Sequence, residues 1–198
     1  MKKVLIMALI IAFSGVITPA FSYAKELVDT DHDGLVDEQE IQFKTDINNP
    51  DTDGDGYVDG LEIARAFDPL SKEYKKLGKS ILIDVKKQEL YQQLNGIIIR
   101  THTVSTGKSS TPTPKGVFSI ANKSLRAWSK TYGLWMPYWM GIKGTRAGIH
   151  ELPEWPGGYK EGKNHLGTPV SHGCIRLGEI ASKIVYDWTE IGTKVIIK

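Results

Sequence analysis

One cysteine, Cys174, stands in 198 residues, so no disulfide can close within the chain. Long apolar runs are equally scarce. The run from Val4 to Val16 is interrupted by Ser14 and Gly15, precedes Pro19, and falls short of the ~20 residues that a membrane-crossing helix needs. No nucleic-acid-binding motif is present, which leaves the basic residues without an obvious polynucleotide partner. The composition, 40% apolar and 24% charged, is that of an ordinary globular protein and by itself excludes little.

What is present is unevenly placed. Lys2 and Lys3 precede the apolar run, and the small-residue site Ser22-Tyr23-Ala24 follows it, the pattern of a secretory signal peptide over residues 1–24. Cleavage after Ala24 is expected, leaving an exported protein in the periplasm, cell wall or extracellular space with no permanent membrane span. In that setting a lone Cys174 is either a buried bystander or a reactive thiol. The rest of the chain divides by charge. Residues 25–72 carry fourteen acids against four bases, whereas residues 73–198 carry nineteen bases against nine acids. Opposite signs of this size argue for two regions with different partners, residues 25–72 and residues 79–198, joined by a charged connector at 73–78.

The acidic region contains a repeat. DTDHDGLVDEQE, from Asp29 to Glu40, recurs twenty-two residues later as DTDGDGYVDGLE, from Asp51 to Glu62. Acids at positions one, three, five, nine and twelve supply the hard oxygen ligands that calcium prefers, and glycine at position six permits the sharp turn. The expected ligand sets are Asp29, Asp31, Asp33, Asp37 and Glu40 with the carbonyl of Leu35, and Asp51, Asp53, Asp55, Asp59 and Glu62 with that of Tyr57. The competing reading is a solvated acidic linker. Only ten residues, Ile41 to Pro50, separate the loops, too few for two full helix-loop-helix hands. The stretch IQFKTDINNPDTDGDGYVDGLE instead resembles the bacterial thrombospondin type 3 repeat, which implies a calcium-held segment used for stiffening or spacing rather than for chemistry.

The basic region reads as β structure. SILIDV, ELYQQL and IIIRTHTV follow one another, the last two separated by Asn95-Gly96, a strong hairpin signal. Further short strands are expected near Gly116 to Ala121 and Trp135 to Ile142, and TKVIIK reads as a closing strand. A single helix is expected from Glu179 to Glu190, with Ile180, Ile184 and Trp188 on one face. The expected fold is mainly β, a sandwich or barrel with one packed helix, preceded by the small calcium-loop region.

The only thiol sits in PVSHGCIRLG, Pro169 to Gly178, between a glycine and a β-type run. A nucleophilic cysteine needs a base, donors for an oxyanion and access for its substrate. His150 and His172 are the nearest candidates for the base, with His165 between them and His102 on a predicted strand. Spacing alone does not choose among them.

GIH at Gly148 to His150, SHGCIRL at Ser171 to Leu177, and TPTPKGVFSI at Thr111 to Ile120 together resemble the L,D-transpeptidase, or YkuD-type, catalytic domain over about residues 79–198. The resemblance implies that Cys174 is the acyl acceptor and His150 its base. It also implies that Gly173 and Cys174 present main-chain donors near the oxyanion, and that Ser171, His172 and Arg176 complete the motif, His172 and Arg176 contacting the donor peptide. The partners it implies are peptidoglycan stem peptides and carbapenem-type inhibitors. An imidazolium is expected to lower the thiol pKa. Twenty residues, Glu151 to Val170, separate His150 from Ser171, a few more than the family usually shows; the glycine-rich stretch Trp155 to Asn164 accounts for the excess, and it makes His165 an alternative base.

Other readings remain. His150, His165, His172 and Cys174 could form a zinc site, though in no familiar zinc spacing. Water as the acyl acceptor would make the enzyme an L,D-carboxypeptidase, and a non-catalytic, calcium-dependent wall-binding protein is the third possibility. The aromatic run Ala127 to Gly144 is expected to pack in the core and along strand edges, with a substrate groove wall as its other use.

Overall fold

The computed structural model describes residues 27–198; the signal-peptide expectation lies outside the described residues. Eight strands form a closed barrel: β1 (Lys79–Asp84), β2 (Glu89–Leu94), β3 (Ile97–Ser105), β4 (Gly116–Ser129), β5 (Leu134–Ile142), β6 (Gly148–Glu151), β7 (Ile175–Leu177) and β8 (Lys194–Ile197). Their order around it is β1-β2-β3-β7-β6-β5-β4-β8. Closure leaves no unpaired edge, which an antiparallel sheet must otherwise protect. Two pairs are parallel, β6 with β7 and β8 with β1.

The β2–β3 hairpin turns at Asn95 and Gly96, whose φ values of 47° and 87° are those a two-residue I′ turn requires. Ile81, Ile83, Leu90, Ile149, Ile175 and Val195 are fully buried and fill the centre. α3 (Glu179–Trp188) packs on the barrel through Ser182, Val185 and Trp188. The expected helix face is therefore corrected: Ile180 is 76% exposed. Val185 and Trp188 belong equally to an i, i+4, i+7 series that starts at Ala181, and this is the stripe that packs against the core.

The acidic region folds as two short helices, α1 (Asp37–Phe43) and α2 (Asp59–Ala64), each following one of the aspartate-rich loops. Leu35, Phe43, Ile63 and Ala66 belong to the same buried cluster as the barrel core. Gln39 Nε2 donates to the carbonyl of Ile99 on β3 at 3.1 Å. The connector is tied down as well: Leu77 is buried, and its amide donates to the Ala66 carbonyl.

Candidate active site and acidic loops

The barrel register explains how residues distant in sequence meet. Ile149 pairs with Ile175 and His150 with Arg176 across the parallel β6–β7 ladder. Ile149 and Ile175 point into the core, so by the two-residue alternation of a strand Gly148, His150, Cys174 and Arg176 share the opposite face. One step back along this register, Cys174 stands beside Gly148, whose backbone amide bonds to the sulfur. His150 and Cys174 are thus diagonal neighbours on one face, and both line a cavity of about 540 Å³.

The turn carrying the thiol is held from within and from outside. Ser171 Oγ donates to the Cys174 carbonyl at 2.5 Å and accepts from the Gly173 amide at 3.1 Å. The Gly173 amide, an expected oxyanion donor, is therefore engaged inside the turn. Gly173 has φ 111°, a region that side chains rarely adopt. The TPTPKG segment clamps the turn from outside. Thr113 Oγ1 donates to the Gly173 carbonyl at 3.0 Å, and Thr111 Oγ1 to that of Ser171 at 3.2 Å. Gly107 lets this segment close: a Cβ there would lie 2.3 Å from the Thr111 carbonyl oxygen.

His150 is buried, and its Nδ1 lies 2.5 Å from the Glu151 carbonyl oxygen. A carbonyl only accepts, so Nδ1 carries the proton and, in the neutral ring, Nε2 keeps a lone pair. Burial, joined by the charge of Arg176 and opposed by the Glu151 carbonyl, pushes the His150 pKa down to about 4. Burial also pushes the Cys174 thiol up, against the Gly148 amide and Arg176. This corrects the expectation of a thiol acidified by an imidazolium. Both directions favour an uncharged thiol beside an uncharged imidazole with a free lone pair at neutral pH.

The other histidines have separate settings. His172 is exposed, its ring 4.9 Å from that of Tyr132. His165 closes the short 3-10 turn Lys163–His165, its Nδ1 3.0 Å from Glu161 Oε1. His102, on β3, bonds Gln92 Oε1 at 2.9 Å. Among the described residues, the only groups of three His, Cys, Asp or Glu ligand atoms drawn together are Asp29-Asp31-Asp33 and Asp51-Asp53-Asp55, so the histidines and Cys174 do not form a zinc cluster.

Several cavity residues were not singled out from the sequence. Tyr132, Leu134, Met136 and Trp139 line the cavity; they come from the aromatic run read first as core and edge packing and second as a groove wall. The strand alternation of β5 was legible, but which face of it met empty space was not. Glu161, from the glycine-rich loop, also lines it, and its Oε1 accepts from Arg176 Nη1 at 2.7 Å.

The acidic loops have the geometry of oxygen cages. Gly34 and Gly56, at position six, have φ 95° and 99°. Asp29 accepts from the His32 and Gly34 amides, and Asp51 from those of Gly54 and Gly56, which turns each loop inward. Buried oxygens of Asp31, Glu40, Asp53, Asp55 and Glu62 have no hydrogen-bond partner. Burial and the neighbouring aspartates push Glu40 and Glu62 each up to about 7. Crowded, unsatisfied carboxylate oxygens of this kind fit a hard divalent cation. Asp37 and Asp59 depart from the expected ligand sets: both oxygens of each accept from the amide and hydroxyl of Thr30 and Thr52, closing the loops.

Comparison with known proteins agrees with this geometry. The family model described as the L,D-transpeptidase catalytic domain, YkuD, matches residues 78–197. The chain belongs to this family of L,D-transpeptidase catalytic domains. The Bacillus subtilis protein YciB is 32% identical over 122 residues, covering 58% of this chain and 63% of that protein. Among solved structures, an L,D-transpeptidase from Stackebrandtia nassauensis is 28% identical with a TM-score of 0.52, covering 70% of this chain and 63% of its own. L,D-transpeptidase 3 from Mycobacterium tuberculosis, in complex with a faropenem-derived adduct, shares the fold at 19% identity and a TM-score of 0.52, covering 63% and 61%. This chain spans 52% and 63% of the lengths of the two curated relatives it matches.

Proposed function

We propose that this protein is an exported L,D-transpeptidase that acts on peptidoglycan tetrapeptide stems through a thioester on Cys174. The observation that carries the reading is the β6–β7 register, which sets His150 diagonally beside Cys174 at the wall of one cavity.

The chemistry follows from the neutral pair. As Cys174 Sγ attacks the carbonyl joining the third stem residue to its terminal D-alanine, His150 Nε2 takes the thiol proton. His150 then returns that proton to the departing amine; the carbon–nitrogen bond breaks, D-alanine leaves and a thioester remains. An amine on the third residue of a second stem attacks the thioester, passes a proton through His150 to the sulfur, and forms a 3-3 cross-link. Water in place of the amine gives the carboxypeptidase product. Arg176 and Arg146, both lining the cavity, suit a substrate rich in carboxylates.

In the same proposal each acidic loop holds one calcium ion, the first by Asp29, Asp31, Asp33 and Glu40, the second by Asp51, Asp53, Asp55 and Glu62, with carbonyls of Leu35 and Tyr57. The ions supply structure, not catalysis.

Incubation of the purified protein with disaccharide-tetrapeptides, followed by mass spectrometry, tests the reading. Loss of D-alanine with dimer formation supports transpeptidation, and loss of D-alanine without dimers supports the carboxypeptidase. Unchanged substrate contradicts both.

A further inference from the structure

We infer that Glu161 is a specificity residue whose carboxylate receives the protonated side-chain amine of the acyl donor's third residue, an inference that rests on the transpeptidase reading. Among the described residues that line the cavity, Glu161 is the only carboxylate. Its side chain is 9% exposed, and only half of its bonding capacity is used. Oε1 accepts from Arg176 Nη1 at 2.7 Å, while Oε2 is buried without a partner. His165 Nδ1 also lies 3.0 Å from Oε1 without hydrogen-bond geometry, and Arg176 Nε, like Oε2, is buried without a partner.

An unpartnered buried carboxylate oxygen is costly, and a donor that arrives with the substrate removes the cost. The loop that carries Glu161 is built to hold it in place. The Trp155 amide donates to the Tyr159 carbonyl at 2.7 Å, Glu154 bridges to Lys160, and the Glu161 amide donates to the Pro153 carbonyl at 2.9 Å.

Reach and charge identify the ligand. Arg176 lies two residues past Cys174 on the same strand face, about 6.6 Å along the strand, and it anchors Glu161 there. A donor whose carbonyl is at the sulfur can extend a diamino-acid side chain over that distance. The third stem residue must bear an amine for a 3-3 cross-link to form, and in the donor stem this amine is still free and protonated at neutral pH. A charge-assisted bond from this ammonium to Oε2 completes the carboxylate. Arg146 remains for the substrate's own carboxylates.

The test compares D-alanine release from tetrapeptide donors with a free or an N-acetylated third-residue amine, using wild-type protein, Glu161→Gln and Glu161→Asp. A bond to a charged group predicts roughly a 10- to 100-fold higher kcat/KM for the free-amine donor in the wild type, expressed mainly in KM. Glu161→Gln should bring the ratio near one, and Glu161→Asp should retain much of it. A carbapenem adduct on each variant, read by intact mass, shows that the thiol site is assembled. A wild-type ratio near one overturns the inference by itself, even if Glu161→Gln does not fold, and so does a ratio that Glu161→Gln leaves unchanged. If the wild type releases D-alanine from neither donor, the transpeptidase reading falls and this inference falls with it.

Discussion

The backbone amide of Gly148 bonds to the sulfur of Cys174, although twenty-five residues separate them in the chain. This contact joins the GIH and SHGC segments, and it depends on residue 148 having no side chain. A Cβ there would lie 2.4 Å from Trp139 Cη2 and 2.8 Å from the Met140 carbonyl oxygen. Gly148→Ala should therefore cost about 1–3 kcal/mol of stability and displace Trp139 from beside His150. Thermal unfolding, with the rate of carbapenem acylation, checks both effects.

Because burial pushes the Cys174 thiol up from its ordinary value of 9.0, its thiolate fraction at pH 7 should be below about one per cent. Iodoacetamide should alkylate Cys174 more slowly than free cysteine at pH 7, and the rate should climb without levelling off until the pH passes 9. Peptide mapping after timed alkylation measures this. A plateau reached near pH 6 would indicate the imidazolium-thiolate pair instead.

His150 supplies a pH signature in stability. Its folded pKa is about 4 against 6.5 for an ordinary histidine, so between these values the unfolded chain binds the extra proton. The sign follows: the stability tied to keeping this ring neutral is present above pH 6.5 and is lost as pH falls toward 4, to a total of about 3 kcal/mol. Denaturant titrations of calcium-saturated protein at pH 7 and pH 4.5 should show this loss in the wild type. His150→Gln, which cannot take the proton, should lack that component.

The two acidic loops are predicted to act together. The Gly60 amide donates to Asp33 Oδ2 at 2.7 Å, and a Cβ at residue 60 would lie 2.5 Å from the Asp33 carbonyl oxygen. Gly60→Ala should weaken calcium binding at both loops, as read by calorimetry. Chelation of the wild type should lower the melting temperature and open residues 27–77 to protease, since an ion at a thousand times its Kd contributes roughly 4 kcal/mol.

Much of this was legible in the sequence where a local pattern sufficed. Asn95-Gly96 announced its hairpin, the glycines at position six their turns, and SHGC its thiol. What escaped the sequence depended on the barrel. β6 and β7 are only four and three residues long, too short for any periodicity to register, and they acquire strand geometry from each other across twenty-three intervening residues. The cavity face of β5 and the position of Glu161 follow from closure of the sheet and from the fold of a glycine-rich loop. Threonine hydroxyls engage Asp37 and Asp59 instead, a pairing that a ligand-spacing pattern does not encode.

In the proposed cycle Cys174 carries the acyl group. Acid-quenched intact mass spectrometry after brief mixing with a disaccharide-tetrapeptide tests it directly. A covalent adduct equal to the donor less D-alanine should form on Cys174 and be missing in Cys174→Ala. Donor turnover by Cys174→Ala at the wild-type rate, or an adduct mapped to another residue, would contradict it.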